Sequence, residues 1–303
     1  MHDTEQSNPG GVESLEKASK RPMQYVGVST KMYLRYQESL DWLAGVRDEV
    51  LARPALAGKV GVFVAPSFPV LESARRILDS SPVLLAAQNS SAAGGALTGE
   101  VSPELLAELG MDLVEIGHAE RRKLFGEDDA VVADKTTAVA AAGMTPLLCV
   151  GEPERQSAVE AADFCYRQVD AALGSTVATD AVILAYEPVW AIGAAEPAAA
   201  EYVNDVVARL RQQLAERSGG VGNSGVPSPG GAGHSAPPGA GPAILYGGSA
   251  GPGLLPRLDA VDGLFLGRFA HDPANLGAVL DEALQRAGQS ADQSAGIPPG
   301  ATS

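Results

Sequence analysis

Cysteine is scarce in this chain: Cys149 and Cys165 are the only two among 303 residues, and their spacing matches neither a metal-binding nor a dithiol redox motif. A disulfide framework and Cys-x-x-Cys chemistry are excluded, and both thiols are expected to be reduced packing residues. Basic residues are few as well. Lys and Arg number 22 against 37 Asp and Glu, a net charge of -15, which argues against a nucleic-acid partner. Any site for an anionic ligand must draw its positive field from a few local groups. No stretch approaches the roughly 18 uncharged apolar residues of a membrane span, and the first residues carry no apolar block followed by a small-residue cleavage site. A cytoplasmic protein with no membrane partner is expected.

With 45% hydrophobic residues the chain can bury a full core. Residues 1–22 and 289–303 are polar or rich in Ser, Gly, Pro and Ala, and are expected to be disordered tails around a single folded unit at 23–288. Within that unit, short apolar runs recur at Tyr25–Ser29, Val60–Ala65, Val83–Gln88, Leu113–Ile116, Thr145–Val150, Val182–Tyr186, Ala243–Tyr246 and Gly263–Leu266. Between them lie stretches of helical spacing: Leu40, Leu43, Val46 and Val50; Val159, Ala162, Tyr166, Val169 and Leu173; Val203, Val206, Val207, Leu210 and Leu214; Leu276, Val279, Leu280 and Ala283. Ser102-Pro103 and Asp272-Pro273 read as helix starts, a capping side chain before a proline suited to the first turn. Eight strands alternating with helices predict an α/β fold, a closed (β/α)8 barrel, ahead of a doubly wound sheet. A dinucleotide-binding version of that sheet needs a Gly-x-Gly-x-x-Gly turn after the first strand, and Ser29-Thr-Lys-Met-Tyr33 stands there instead. One segment, 218–242, holds nine Gly, five Pro and four Ser in 25 residues with no charged side chain, and reads as a flexible insertion.

The chemistry-bearing stretch is Ile183-Leu-Ala-Tyr-Glu-Pro-Val-Trp-Ala-Ile-Gly193, an apolar strand that ends in a carboxylate, a proline and a glycine. Such a pattern delivers Glu187 to the rim of a core with a mobile loop behind it. In a parallel barrel the site lies at the carboxyl ends of the strands. Lys31 follows the first strand, His118 the fourth, Glu187 the sixth, Gly247-Gly-Ser249 the seventh and Gly267-Arg268 the eighth. Singly, each also fits a structural role. Together they equip a site for proton transfer beside the carbonyl of a phosphorylated substrate. Glu187 would take the proton, while His118, kept neutral by amide dipoles at a helix start, would donate a hydrogen bond to the developing enediolate. Lys31 would supply positive charge, held in place by Glu120, and backbone N–H groups after Gly193, around Ser249 and at Gly267 would cradle the phosphate. No cofactor or metal is required. His271 reads as structural.

These segments resemble the triosephosphate isomerase family. The resemblance rests on Tyr186-Glu-Pro-Val-Trp-Ala-Ile-Gly193 and Gly117-His-Ala-Glu-Arg-Arg-Lys-Leu-Phe-Gly-Glu127, with Leu97-Thr-Gly-Glu-Val-Ser-Pro103, Leu148-Cys-Val-Gly-Glu152 and Tyr246-Gly-Gly-Ser249. It implies a glutamate base, a neutral histidine, a closing loop and a homodimer with the Thr98 loop near the subunit contact. Several positions depart from the family pattern. Ser29-Thr-Lys31 replaces Asn-x-Lys, Ala119 replaces a serine, Gly193-Ala-Ala-Glu196 replaces Gly-Thr-Gly-Lys, and Gly267-Arg268 replaces Gly-Gly. Intact chemistry in an altered pocket resembles the branch that interconverts L-erythrulose 1-phosphate and D-erythrulose 4-phosphate, in erythritol catabolism. The extra hydroxymethyl group would fit beside Ser29, with Arg268 or His271 at its hydroxyl. The alternatives are the triose isomerase of glycolysis and gluconeogenesis, or a non-catalytic barrel.

Overall fold

The strands are largely apolar on both faces because both are covered, as parallel strands wrapped by helices require. The computed structural model describes residues 22–194, 196–220 and 241–295. Eight parallel strands close into a barrel in sequence order: β1 (Gln24–Ser29), β2 (Val60–Ala65), β3 (Leu84–Ala87), β4 (Leu113–Ile116), β5 (Thr145–Val150), β6 (Ile183–Tyr186), β7 (Ala243–Tyr246) and β8 (Gly263–Leu266). β8 returns to β1, with Tyr25 opposite Gly263. No helix among the described residues is long and apolar enough to cross a membrane.

Alternation along the strands splits the core in two. Tyr25, Phe63, Leu113, Leu147, Ile183, Leu245 and Phe265 fill the barrel interior. Val26, Val64, Val114, Ile116, Leu148, Leu184 and Leu266 face the helices. The inner layer is tight: Phe63 and Phe265 approach at 5.6 Å between ring centroids, and a Cβ on Gly27 would lie 2.0 Å from the Phe63 ring. This packed floor keeps anything bound by the barrel at the mouth.

The outer helices are α1 (Tyr36–Leu51), α2 (Leu71–Leu78), α3 (Pro103–Glu108), α4 (Ala119–Phe125), α5 (Asp129–Ala141), α6 (Ala158–Leu173), α7 (Ala200–Gly220) and α8 (Pro273–Ala295). Ser102 caps α3 by accepting from the Leu105 N–H, and the Asp272 carboxylate accepts from the Ala274 N–H at the start of α8. The apolar stripes of α7 and α8 are buried as their spacing demands. On α6 the stripe is narrower than its sequence suggests, for Val159 in the first turn is 47% exposed.

Other elements depart from the sequence reading. The β7–β8 crossover carries a short 3-10 turn, Leu255–Arg257, where strict alternation calls for a helix. The β4–β5 crossover carries two helices. Helix α8 continues to Ala295, into the stretch assigned to the C-terminal tail, because Gln289, Ala291 and Gln293 are good helix formers that extend a nucleated helix cheaply. Likewise α7 takes in 218–220, the start of the assigned insertion. The remainder of that insertion apart from Gly241 and Pro242, residues 1–21 of the N-terminal tail and residues 296–303 lie outside the described residues.

Candidate active site

The barrel brings Lys31, His118, Glu120 and Glu187 to one mouth. Glu187 follows β6 directly; its N–H donates to the Val150 carbonyl at 2.8 Å, which continues the strand ladder one residue past β6. Two glycines permit its placement. A Cβ on Gly151 would lie 1.9 Å from the Glu187 carbonyl oxygen, and one on Gly247 would lie 2.6 Å from its Cγ. The carboxyl is 3% exposed and its Oε2 has no hydrogen-bond partner. Burial, and then the neighbouring carboxyl of Glu115, push its pKa well above the usual carboxylate value.

His118 caps α4. Its Nδ1 accepts from the Glu120 N–H at 3.1 Å, which leaves Nε2 to carry the proton of the neutral ring. Nε2 points at Glu187 Oε2, 3.5 Å away. The ring is 6% exposed, and burial followed by the charge of Lys31 lowers its pKa to about 4. The sequence reading expects a neutral imidazole through helix amide dipoles; burial and the charge of Lys31 favour the same neutral form. At neutral pH the pair is a buried carboxyl facing a neutral N–H donor.

Lys31 is the one non-glycine with positive φ among the described residues, at 48°. Side chains without this strain are cheaper by about 1 kcal/mol or more, so the conformation is held from outside. The Ser67 hydroxyl and the Gln88 amide both donate to its carbonyl, each at 2.8 Å. Its Nζ is thereby turned to Glu120 Oε1, 2.6 Å away, as the sequence reading places it.

The residues expected at a phosphate stand on three consecutive loops. Gly193, at φ 72°, lies in the loop after β6, and Ser249, after β7, donates from its hydroxyl to the carbonyls of Ala194 at 2.9 Å and Ala191 at 3.3 Å. Gly267 opens the 3-10 turn Arg268–His271 after β8. Arg268 is exposed, with its guanidinium 5.6 Å from the Tyr33 ring centroid, and His271 packs on the same ring at 5.8 Å. Arg268 and His271 therefore both pack on Tyr33, in the segment after β1. Among the described residues no group of three or more His, Cys, Asp or Glu is placed to hold a metal ion.

Two further acidic residues were not singled out from the sequence. Glu152 is fully buried at the foot of the β6 loop and accepts from Trp190 Nε1 at 2.8 Å and from the Tyr202 and Tyr186 hydroxyls at 2.9 and 3.2 Å. It anchors the root of the loop that follows Glu187. Ser29, 5% exposed, lies close enough to the second, Glu115 in the middle of β4, to lower its pKa. A lone carboxylate inside the run Leu113-Val-Glu-Ile116 was the available signal, since alternation puts Glu115 on the same side as Leu113.

Comparison with known proteins agrees with this geometry. The family model for triosephosphate isomerase matches residues 24–232. An L-erythrulose-1-phosphate isomerase of Pectobacterium atrosepticum is 45% identical over 270 residues, spanning 87% of this chain and 97% of the relative. One of the same name from Mesorhizobium japonicum is 37% identical over 260 residues, 82% of this chain and 93% of the relative. A triosephosphate isomerase of Alkalilimnicola ehrlichii is 40% identical over 222 residues, 71% of this chain and 82% of the relative. The match extends across the strands that carry Lys31, His118 and Glu187, and the chain belongs to the triosephosphate isomerase family of isomerases.

Proposed function

We propose that this chain interconverts L-erythrulose 1-phosphate and D-erythrulose 4-phosphate, with Glu187 as the base. The observation that carries the chemistry is the facing of a buried carboxyl and a neutral imidazole N–H at 3.5 Å, with the Lys31 ammonium beside them. The choice of substrate is supported by the relatives named for it and by Ser29, a small side chain where the family pattern has Asn. In the forward direction Glu187 removes the proton from C3, next to the C2 carbonyl. The electron pair forms the C2–C3 double bond of an enediolate. His118 Nε2–H and the Lys31 ammonium stabilise the negative oxygen, and a proton moves between the two oxygens through that neighbourhood. Glu187 then returns its proton to C2, leaving the carbonyl on the adjacent carbon. Atoms and electrons balance with no outside reactant. The phosphate is held by backbone N–H groups after Gly193, at Ser249 and at Gly267, with Arg268 closing the rim and Glu120 orienting Lys31.

A second reading, triosephosphate isomerase proper, is supported by the relative of that name. The same machinery serves both substrates, so the pocket decides. In initial-rate assays kcat/KM is expected to be at least about 10-fold higher for the erythrulose phosphates than for D-glyceraldehyde 3-phosphate, the size of effect one well-placed substrate group gives. A preference for the triose would overturn the four-carbon reading.

Because Glu187 acts ionised and its pKa is raised, kcat/KM falls as pH falls through that raised value. After allowance for the substrate phosphate, which titrates near pH 6, the acid limb is expected above the ordinary glutamate value of about 4.3. A limb at or below that value would contradict a buried base.

The chain is proposed to act as a homodimer through the Thr98 loop. Residues 93–100 are exposed throughout, and Met32, Leu97, Leu124 and Phe125 are exposed apolar side chains on the segments that follow β1, β3 and β4. Sedimentation equilibrium is expected to give twice the chain mass of 31.0 kDa, and Leu97→Glu to weaken the association. A 31.0 kDa species at micromolar concentration would rule the dimer out.

A further inference from the structure

Glu115 has no part in the steps above, yet it lies within their electrostatic reach. β4 points Leu113 into the barrel and Val114 and Ile116 out to the helices, so the two-residue period turns Glu115 inward, one layer nearer the mouth than Leu113. Ser29 is the last residue of β1. Strands β1 and β4 are not neighbours in the ring, so Ser29 and Glu115 face each other across the barrel interior. Below them lies the packed layer of Phe63, Leu113 and Leu147; above them lie Lys31, His118 and Glu187. The two side chains therefore form the floor of the mouth.

As a structural element this floor is poor. Glu115 is 4% exposed, and its Oε2 is buried with no partner. An uncompensated polar atom of this kind destabilises a core, and an aliphatic side chain at the same position would remove the cost. Burial holds the Glu115 pKa up at about 7, against the pull of Lys31 and Ser29, so near neutral pH the carboxyl can donate as well as accept. A lone hydroxyl group, which is both donor and acceptor, is the complementary ligand.

On the four-carbon reading, one group of the substrate is left without a partner. The phosphate lies toward the loops after β6, β7 and β8, and the two reacting carbons lie between Glu187 and His118. The remaining hydroxymethyl group is bonded to the reacting carbon farther from the phosphate, so it extends away from those loops. Arg268 and His271 are engaged with the Tyr33 ring, in the segment after β1. The small Ser29 side chain leaves the floor beside Glu115 open.

We propose that Glu115 is a specificity-determining residue: its unpartnered carboxyl oxygen takes the terminal hydroxyl that a tetrulose phosphate has and a triose phosphate lacks. This inference rests on the four-carbon reading, and the wild-type enzyme tests that reading separately. A wild-type enzyme that turns over the triose phosphate and not L-erythrulose 1-phosphate overturns the reading, and this inference with it.

Given wild-type turnover of L-erythrulose 1-phosphate, the readout is the ratio of its kcat/KM to that for D-glyceraldehyde 3-phosphate. Glu115→Leu is expected to lower that ratio about 10- to 100-fold, the effect of losing one hydrogen bond to a buried polar group. Glu115→Gln keeps a donor and an acceptor at the same place and is expected to stay within about 5-fold of the wild-type ratio. Thermal unfolding at pH 8 checks the fold, and Glu115→Leu is expected to melt no lower than wild type because it removes a buried ionising group. A ratio unchanged in Glu115→Leu, whether both rates fall together or neither does, overturns the assignment. So does a Glu115→Gln ratio as low as that of Glu115→Leu.

Discussion

The site depends on keeping water away from a carboxyl and an imidazole that face each other. Exposed to solvent, Glu187 would be a weak base and His118 would be partly cationic near neutral pH. Burial moves them in opposite directions, raising the carboxyl and lowering the ring, because in each case it disfavours the charged form. The result is a buried carboxyl beside a neutral N–H donor, the pair on which the proposed proton transfer rests. Lys31 adds to the effect on His118 and opposes it on Glu187.

Much of the surrounding structure serves that burial. Gly151 and Gly247 lack side chains where any Cβ would displace Glu187, and the Phe63–Phe265 layer stops the mouth from deepening. Lys31 is held in a strained backbone conformation by two donors to its carbonyl, a cost that the folded barrel carries in order to aim one ammonium. Glu152 collects Trp190, Tyr186 and Tyr202 beneath the β6 loop, and Ser249 ties that loop to its neighbour. The loop after Glu187 is therefore anchored at its root and contacted near Gly193.

The architecture was legible because parallel strands covered on both faces leave uninterrupted apolar runs, and all eight runs coincide with strands to within a residue at each end. The residues at the strand ends were legible for the same reason: Lys31, His118 and Glu187 are the first chemistry-bearing side chains after their runs. Glu115 was hidden by the opposite circumstance. A carboxylate inside a run reads as a local irregularity until the barrel shows that it faces Ser29 from a strand that is not its neighbour. Glu152 sits in a turn, and its three donors come from distant positions that only the fold brings together. The cause of the neutral His118 was also beyond the sequence, since the degree of burial and the reach of Lys31 are properties of the assembled mouth.

The most direct test of the account is the protonation state of His118 in the free enzyme, read from its ring 15N chemical shifts as a function of pH. The account predicts a neutral ring with the proton on Nε2 at pH 7, persisting until the pH falls to about 4. Titration near the ordinary histidine value of about 6.5, or a proton on Nδ1 at neutral pH, would contradict it.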